Sequence, residues 1–379
     1  MIDAARFGPL MDRALALAER GGGRTAPNPM VGCVIADDAG RVLGEGFHTR
    51  AGEPHAEVVA LAAARNGGHD VRGATAVVTL EPCAHRGRTP PCVDALLAAG
   101  IGRVVYGIED PHTGKGGAQR LAAAGVPVEG GLRRREAELL VEPWLHFVRT
   151  GRPFFHLKSA ITLNGRVTHG GGKSPWITGG EARRAVHRLR RRHPAVLIGI
   201  GTALTDDPLL TVRDWPPPGQ LSEDGAAVPW PRVQPLRIVL DSRLRLPPGS
   251  RLAATAAESP VLVLAAGDAP PERAEALARR GVEVERVAAG NGGLDLHAVA
   301  DVLAARQVTG ALVEPGPTLA GALLATGLVD RWTLFVAPVW ESAEDALPLI
   351  PDGGGSPFAL RDPIWERHGP DASVSGHPR

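Results

Sequence analysis

Hydrophobic and polar positions alternate along the chain in two successive regimes, each mixing helical and strand periods. Residues 3–20 set Ala and Leu at helical spacing and stop at Gly21-Gly22-Gly23, which predicts a helix with its terminator. Val31–Ala36 and Val42–Phe47 read as short strands about a turn at Asp37-Asp38-Ala39-Gly40, a hairpin by length and turn chemistry. His55–Arg65 is helical, Ala74–Leu80 has the pattern of a buried strand, and Pro90–Ala99 has Pro at its start and Gly100 past its end, as a helix does. Arg103–Ile108 follows as a strand, with a helix at Ala118–Ala124 and a strand at Val126–Val128. The αββαβαβα alternation predicts a layered α/β domain.

Gly151-Arg152-Pro153 has the Gly/Pro character of a domain junction. Beyond it, strands are predicted at Phe154–Thr162, Ala195–Ile200, Leu236–Leu240, Pro260–Ala265, Val282–Val287, Ala311–Glu314 and Trp332–Ala337. Helices fit between several of them, at Glu181–Arg192, Pro271–Arg280, Asp295–Arg306 and Thr318–Thr326. That alternation predicts a mostly parallel sheet covered by helices on both faces. The proline-rich stretch 215–235 reads as a surface loop or insertion. The expected organisation is therefore a first domain over 1–148, a second over 152–365, and a polar tail over 366–379, Pro/Gly-containing from Gly369, that frays.

Composition narrows the function. Hydrophobic residues make up 44% and charged residues 22% of 379, the balance of a globular chain. With 42 Lys plus Arg against 41 Asp plus Glu there is no global field to hold a polyanion, and aromatics at 4% offer few stacking platforms. A nucleic-acid binder is disfavoured. Arg183, Arg184, Arg188, Arg190, Arg191 and Arg192 crowd one helix but read mostly as a solvated face, as does Arg133-Arg134-Arg135. The N-terminus lacks a signal-peptide pattern and no window has the apolar length of a membrane span, so a cytoplasmic protein is expected. Three cysteines are too few, and odd in number, for a disulfide framework.

Two of those cysteines fit a different chemistry. His55-Ala56-Glu57 opens a helix, and Cys83 and Cys92 follow on the next strand, loop and helix. One imidazole and two thiolates suit tetrahedral Zn²⁺, and three protein ligands leave a fourth position for water, the count of a catalytic site. His55 and Cys92 both lie near helix N-termini, where partial positive charge favours a thiolate. Glu57 is too close in sequence to His55 to bind the same ion, but it can shuttle a proton to and from the water. Zinc nucleobase deaminases carry H-x-E…P-C-x-x-C. Here Glu81-Pro82-Cys83 has the right entry, while eight residues rather than two separate the cysteines. The competing reading is a closed structural zinc site or a pair of packed core cysteines. Cys33, within Val31-Gly32-Cys33-Val34-Ile35, reads as a small buried hydrophobe.

The run from Pro27-Asn28-Pro29-Met30-Val31-Gly32 through Gly52-Glu53-Pro54-His55-Ala56-Glu57 to Cys83-Ala84-His85-Arg86-Gly87-Arg88-Thr89-Pro90-Pro91-Cys92 resembles the bifunctional deaminase/reductase family of riboflavin biosynthesis. The long insert between the cysteines is characteristic of that family. The resemblance covers about residues 3–340 and implies a cytidine-deaminase-like three-layer domain followed by a dihydrofolate-reductase-like α/β domain. It implies zinc-dependent deamination of 2,5-diamino-6-ribosylamino-4(3H)-pyrimidinone 5′-phosphate, then NADPH-dependent reduction of the ribosyl group. The expected partner is thus a small-molecule substrate, in a homo-oligomer, while composition leaves no nucleic acid or membrane partner to expect. By matching position it places Asn28, His48, His85 and Arg88 on base, ribose or phosphate.

In the second domain, Gly199-Ile200-Gly201-Thr202 and Glu314-Pro315-Gly316-Pro317-Thr318 are glycine-bearing turns after strands, and the second opens a helix suited to an anion. Neither is a G-x-G-x-x-G fingerprint. Lys158-Ser159-Ala160, Gly165-Arg166, Ser174-Pro175-Trp176-Ile177-Thr178 and Thr205–Arg213 resemble the family's reductase in order and spacing. The resemblance implies that Ala160, Trp176, Thr202, Asp206, Ser242 and the loop Gly316, Pro317, Thr318, Leu319, Ala320, Gly321, Ala322 bind the dinucleotide. It implies that Ser174, Arg190, Leu210, Arg213 and Glu314 bind the substrate. The chain departs from the family pattern at Ala84, at His112 and the shortened segment after it, at Asn164 before Gly165, at Pro315 and at Val339-Trp340-Glu341. Rival readings are a deaminase whose second domain only binds or oligomerises, a paralogue in a related pyrimidine pathway, and a nucleic-acid-editing deaminase.

Overall fold

A computed structural model describes residues 2–87, 89–112, 114–168, 176–213, 234–290, 292–350 and 359–379. Arg88, Ser174 and nearly all of the 215–235 stretch lie outside the described residues. The chain divides into two units, Met1–Gly151 and Arg152–Arg379. Among the described residues no helix is long and apolar enough to cross a membrane.

The first unit runs α1 (Ala4–Glu19), β1 (Gly32–Ala36), β2 (Val42–Phe47), α2 (Ala56–Asn66), β3 (Thr75–Leu80), α3 (Cys92–Ala98), β4 (Arg103–Ile108), α4 (Gly117–Ala123), β5 (Val128–Gly130), α5 (Arg134–Leu140) and α6 (Glu142–Thr150). Its sheet has the order β2-β1-β3-β4-β5, with β1 antiparallel to β2 and β3 and the rest parallel. Strand alternation divides β1 between two cores. Cys33 and Ile35 pack with Ala56 and Ala60 of α2 and Val93 of α3, while Val34 and Ala36 pack with Phe7, Met11 and Ala14 of α1. Each such fully buried large side chain contributes about 1.5–3 kcal/mol. Cys33 is fully buried, which pushes its thiol pKa up, in keeping with a packing role. Helix α1 lies so close to β1 that a Cβ on Gly32 would sit 2.0 Å from the Ala14 carbonyl oxygen.

The second unit runs β6 (Phe154–Ile161), α7 (Gly180–Arg192), β7 (Ala195–Gly199), α8 (Ile200–Asp206), β8 (Leu236–Leu240), α9 (Arg251–Ala254), β9 (Val261–Ala266), α10 (Pro271–Ala278), β10 (Glu283–Val287), β11 (Ala289–Gly290), β12 (Gly293–Leu294), α11 (Leu296–Ala305), β13 (Gly310–Val313), α12 (Pro317–Ala325), β14 (Val329–Val336), β15 (Leu360–His368) and β16 (Asp371–Pro378). The large sheet has the order β10-β9-β8-β7-β13-β6-β14-β16-β15. Strands from β10 to β14 are parallel, and β16 runs antiparallel to both β14 and β15. Apolar clusters on both faces carry helices: α11 and α12 on one, α8, α9 and α10 on the other. The chain steps outward from β6 through β7 to β10, then returns to insert β13 between β7 and β6. This is a topological switch point, and ligands of open parallel sheets bind outside the strand ends at such a point.

The polar tail does not fray. Residues 366–379 close a hairpin whose turn is Gly369-Pro370, with His368 paired to Asp371 and Gly369 at φ 64°. Its polarity is inward-facing: Ser375 accepts a hydrogen bond from the Thr333 hydroxyl at 2.8 Å, His377 Nδ1 lies 2.7 Å from the Asp330 carbonyl, and Asp371 accepts from the Gly179 N–H at 2.7 Å. The arginines of α7 also differ from the solvated face expected of them. Arg184 is exposed, Arg191 is buried and the other four are partly buried.

Candidate active sites

In the first unit the strand ends converge on His55, Cys83 and Cys92. His55 caps α2, Cys83 follows β3, and Cys92 begins α3. His55 Nδ1 lies 3.6 Å from Cys83 Sγ and 3.3 Å from Cys92 Sγ, and the three ligand atoms all fall within 4.8 Å of one another. The Cys92 backbone N–H donates to Cys83 Sγ at 3.3 Å. The contact with Cys92, opposed by burial and reinforced by His55, brings the Cys83 thiol down to about 4, while Cys83 and burial push Cys92 up. Two sulfurs and one ring nitrogen so placed compete for protons. A divalent cation lets both thiolates form, so this donor set fits zinc.

Glu57, on the first turn of α2, is only 3% exposed, and burial followed by the neighbouring Cys83 raises its pKa to about 7. A carboxyl group in that range can both take and give a proton at neutral pH. The predicted pair Asn28 and His48 is assembled beside His55. Asn28 Nδ2 lies 3.1 Å from His48 Nε2, His48 Nδ1 lies 3.2 Å from the Pro54 carbonyl, and the His48 ring meets the His55 ring edge-on at 5.1 Å. Burial lowers the His48 pKa, which keeps the ring neutral. His85 is not brought in. It is exposed on the loop with its ring over Gly87, and makes no hydrogen bond to the cluster among the described residues.

Two supporting residues escaped the sequence reading. Thr89 Oγ1 lies 3.3 Å from His55 Nε2, which fixes the ring with Nδ1 toward the sulfurs. Glu81, buried behind the loop, accepts from the Asp110 N–H at 3.1 Å and the Ala118 N–H at 2.9 Å. Nothing in the E-P-C spelling marks Glu81 as a brace. The segment it holds is tight: a Cβ on Gly117 would lie 1.7 Å from the Pro82 carbonyl oxygen.

In the second unit a cavity of about 1420 Å³ opens at the C-terminal ends of β6, β13, β7 and β8. Glu314, just past β13, receives a two-pronged hydrogen bond from Arg190 of α7, Nε to Oε1 at 2.6 Å and Nη2 to Oε2 at 2.9 Å. Burial opposes its ionisation, but Arg190 and then Lys158 outweigh burial and hold the carboxyl at about 2. Asp206 is raised by burial and by Glu314, and Lys158 is lowered by burial. Lys158, present in the motif but not singled out from it, thus joins the charged wall of the cavity.

Ala160, Trp176, Thr202, Asp206 and Ser242 all line this cavity, as do Arg213 and the stretch from Pro315 to Leu319 with Ala322. Ala320 and Gly321 do not; Ala320 is fully buried against the sheet. Leu210 is also core, at 2% exposed with φ 54°, so any contact it offers a ligand comes from its backbone. Gly316 caps α12 with extended backbone, and the first-turn N–H groups of that helix have no intrahelical acceptor. A cradle of backbone donors facing a cavity of this size fits a dinucleotide phosphate.

The departures at 164 and 339–341 are coupled. The Asn164 side chain donates to the Glu341 carbonyl at 2.6 Å and accepts from the Glu341 N–H at 3.1 Å. An aspartate could make only the second of these bonds.

Comparison with known proteins finds relatives of both units. The model of the RibD C-terminal domain matches residues 153–373, and that of the cytidine and deoxycytidylate deaminase zinc-binding region matches residues 8–108. The chain is 45% identical over 337 residues to the riboflavin biosynthesis protein RibD of Escherichia coli, covering 86% of each. It is similar throughout both chains to a Thermotoga maritima diaminohydroxyphosphoribosylaminopyrimidine deaminase/5-amino-6-(5-phosphoribosylamino)uracil reductase, at 32% identity and a TM-score of 0.79. It is equally similar over its whole length to Acinetobacter baumannii RibD, at 35% identity and a TM-score of 0.77.

Proposed function

Because the chain belongs to the RibD family of riboflavin-biosynthesis deaminase/reductases, we propose that its two units perform consecutive steps on one pyrimidine ribosyl phosphate. The first unit hydrolyses the ring amino group of 2,5-diamino-6-ribosylamino-4(3H)-pyrimidinone 5′-phosphate. The second reduces the ribosyl to a ribityl group with NADPH, giving 5-amino-6-ribitylamino-uracil phosphate. The observation that carries the reading is the buried Glu57 beside the His55, Cys83 and Cys92 donor set.

His55, Cys83 and Cys92 hold the zinc, which when bound supplies the Lewis acidity that makes water a nucleophile near neutral pH. Glu57 takes one proton from the attacking water and gives it to the ring nitrogen, then takes the remaining hydroxyl proton and gives it to the departing amine, so that water is consumed and ammonia leaves. Asn28, oriented by His48, presents its amide to the polar edge of the base, and Thr89 keeps the His55 ring in register.

In the second unit NADPH supplies the hydride, and the protein supplies orientation. The backbone N–H groups of Gly316, Thr318 and Leu319 hold the dinucleotide phosphates, with Ala160, Trp176, Thr202, Asp206, Ser242 and Ala322 along its length. Glu314, fixed and charged by Arg190, accepts ribosyl hydroxyl groups, and Arg213 and Lys158 offset the substrate phosphate. Cytoplasmic placement and a homo-oligomeric assembly belong to the same proposal. The three free cysteines support a reducing compartment, and sedimentation of the purified chain tests the assembly.

The decisive experiment follows ammonia release and NADPH oxidation separately on the authentic diamino-pyrimidinone phosphate. Wild type produces both, and Glu57→Gln loses ammonia release by about 10²–10⁴-fold. Deamination that survives Glu57→Gln at the wild-type rate refutes the proton shuttle. An absence of saturable NADPH binding refutes the reductase assignment.

A further inference from the structure

Among the described residues, five basic Lys and Arg side chains line the cavity of the second unit: Lys158, Arg183, Arg190, Arg213 and Arg245. Four of them lie at the end formed by β6, α7 and the segment after α8, and each has a partner there. Arg190 grips Glu314, Arg183 donates to the Thr178 carbonyl and faces the Trp176 ring, Arg213 donates to Thr211 Oγ1, and Lys158 faces Glu314 and Asp206. Arg245 stands apart in the turn after β8.

The surroundings of Arg245 are unusual. Its Nε lies 3.9 Å from Oδ1 of Asp241, the side chain is 49% exposed, and its terminal nitrogens have no hydrogen-bond partner among the described residues. Asp241 is fully buried: Oδ2 accepts from the Leu246 N–H at 2.8 Å, while Oδ1 has no hydrogen-bond partner among the described residues. A buried carboxylate half satisfied by its own turn is costly, and here its spare oxygen faces the inner edge of a guanidinium whose outer edge is free. The Ser242 side chain sits between the two in sequence and lines the same cavity. Gly290, Gly292 and Gly293 of the β11–β12 hairpin line this end with backbone alone, and a Cβ at Gly292 or Gly293 would meet nothing within 4 Å. Asp295, the other charged group at this end, uses Oδ1 to cap α11 through the His297 and Ala298 N–H groups.

A dinucleotide with its phosphates on α12 and its reacting ring beside Glu314 must direct its other nucleoside away from β6, across β7, toward β8. That end offers an open slot with glycine walls and one guanidinium, paired at Nε with Asp241, whose terminal nitrogens have no hydrogen-bond partner among the described residues. We propose that Arg245, oriented by Asp241 and assisted by the Ser242 hydroxyl, clamps the 2′-phosphate of the adenosine ribose and so sets the preference for NADPH over NADH. A fork of N–H donors matches a phosphate in two-pronged fashion, whereas a ribose 2′-hydroxyl in its place leaves the guanidinium to water. Asp241 is then a positioning residue.

This inference rests on the cofactor reading of the cavity, and the experiment separates the two. Calorimetric titration of the full zinc-loaded chain with NADPH, NADH, 2′,5′-ADP and 5′-ADP is compared for wild type, Arg245→Ala and Arg245→Gln. Both variants weaken NADPH and 2′,5′-ADP on the order of 10- to 100-fold and leave NADH and 5′-ADP within about twofold. The unchanged 5′-ADP affinity shows that the variants keep the cavity. If both variants retain the wild-type preference, or lose all four ligands equally, the assignment of Arg245 is overturned. If wild type itself binds neither NADPH nor NADH, the cofactor reading fails and this inference with it.

Discussion

Replacing Glu314 with Gln tests the electrostatics of the second site in stability as well as in turnover. The carboxyl is 14% exposed, gripped at both oxygens by Arg190 and held at about 2 rather than the ordinary 4.5. A folded-state value below the unfolded one means that the carboxylate stabilises the fold fully above pH 4.5. That contribution is lost as pH falls through 4.5 toward 2. The difference corresponds to about 3 kcal/mol at neutral pH, of which about 2 kcal/mol is gone by pH 3. Urea unfolding followed by tryptophan fluorescence reads the right part of the chain, since of seven tryptophans only Trp144 precedes Gly151. Wild type is expected to exceed Glu314→Gln by about 3 kcal/mol at pH 7 and by about 1 kcal/mol at pH 3. Burial lowers the pKa values of His156 and His193, so both also destabilise the fold in acid, but the two proteins share them and the comparison cancels their effect. A gap of equal size at both pH values refutes the reasoning, because the carboxylate would then not be the group whose charge Arg190 holds.

Further outcomes follow from other parts of the molecule. Cys83→Ser removes one of three donors, so metal analysis is expected to find zinc falling from one per chain to a small fraction while NADPH affinity, read by titration, is unchanged. Deleting residues 369–379 strips β16 from β14 and leaves the inward-facing Thr333 without Ser375; limited proteolysis is expected to degrade the second unit and spare the first. Asn164→Asp loses the bond to the Glu341 carbonyl and sets two oxygens against each other, at a cost of about 1–3 kcal/mol in the same urea assay. An unaltered midpoint in that variant contradicts the coupling of residues 164 and 341.

The periods of the sequence made most elements legible, because β1, β3 and β7 are apolar runs bounded by glycine or proline and the helices between them carry apolar faces. The tail failed that test for a physical reason. Ser373, Ser375 and His377 alternate inward, where hydrogen bonds to a polar sheet face replace apolar contact, so the strand has the composition of a loop. The zinc donor set was legible because few residue types bind that ion, and a spacing fixes which ones meet. Glu81 and Thr89 were not, since a bracing residue is defined by what the chain brings to it from residues 110–118 and 55. Ala320, Gly321 and Leu210 show the converse. A family position can identify a segment beside the cavity without telling whether its side chain or its backbone faces that space.

The return of β13 to a place between β7 and β6 fixes an order of events during synthesis. Every residue of the zinc donor set has been made by Cys92, and the unit around it ends at Gly151, so it can fold while the remainder is still being translated. The second sheet cannot close in the same gradual way. Its strands from β7 to β10 emerge in sequence, but β6 gains its two neighbours only when residues 310–336 appear, some 150 residues after it. Until then the C-terminal ends of β6 and β7 have no Glu314 between them. A nascent chain interrupted in that interval already carries the His55, Cys83 and Cys92 donor set with Glu57, but lacks Glu314 and the start of α12, which complete the cavity of the second unit.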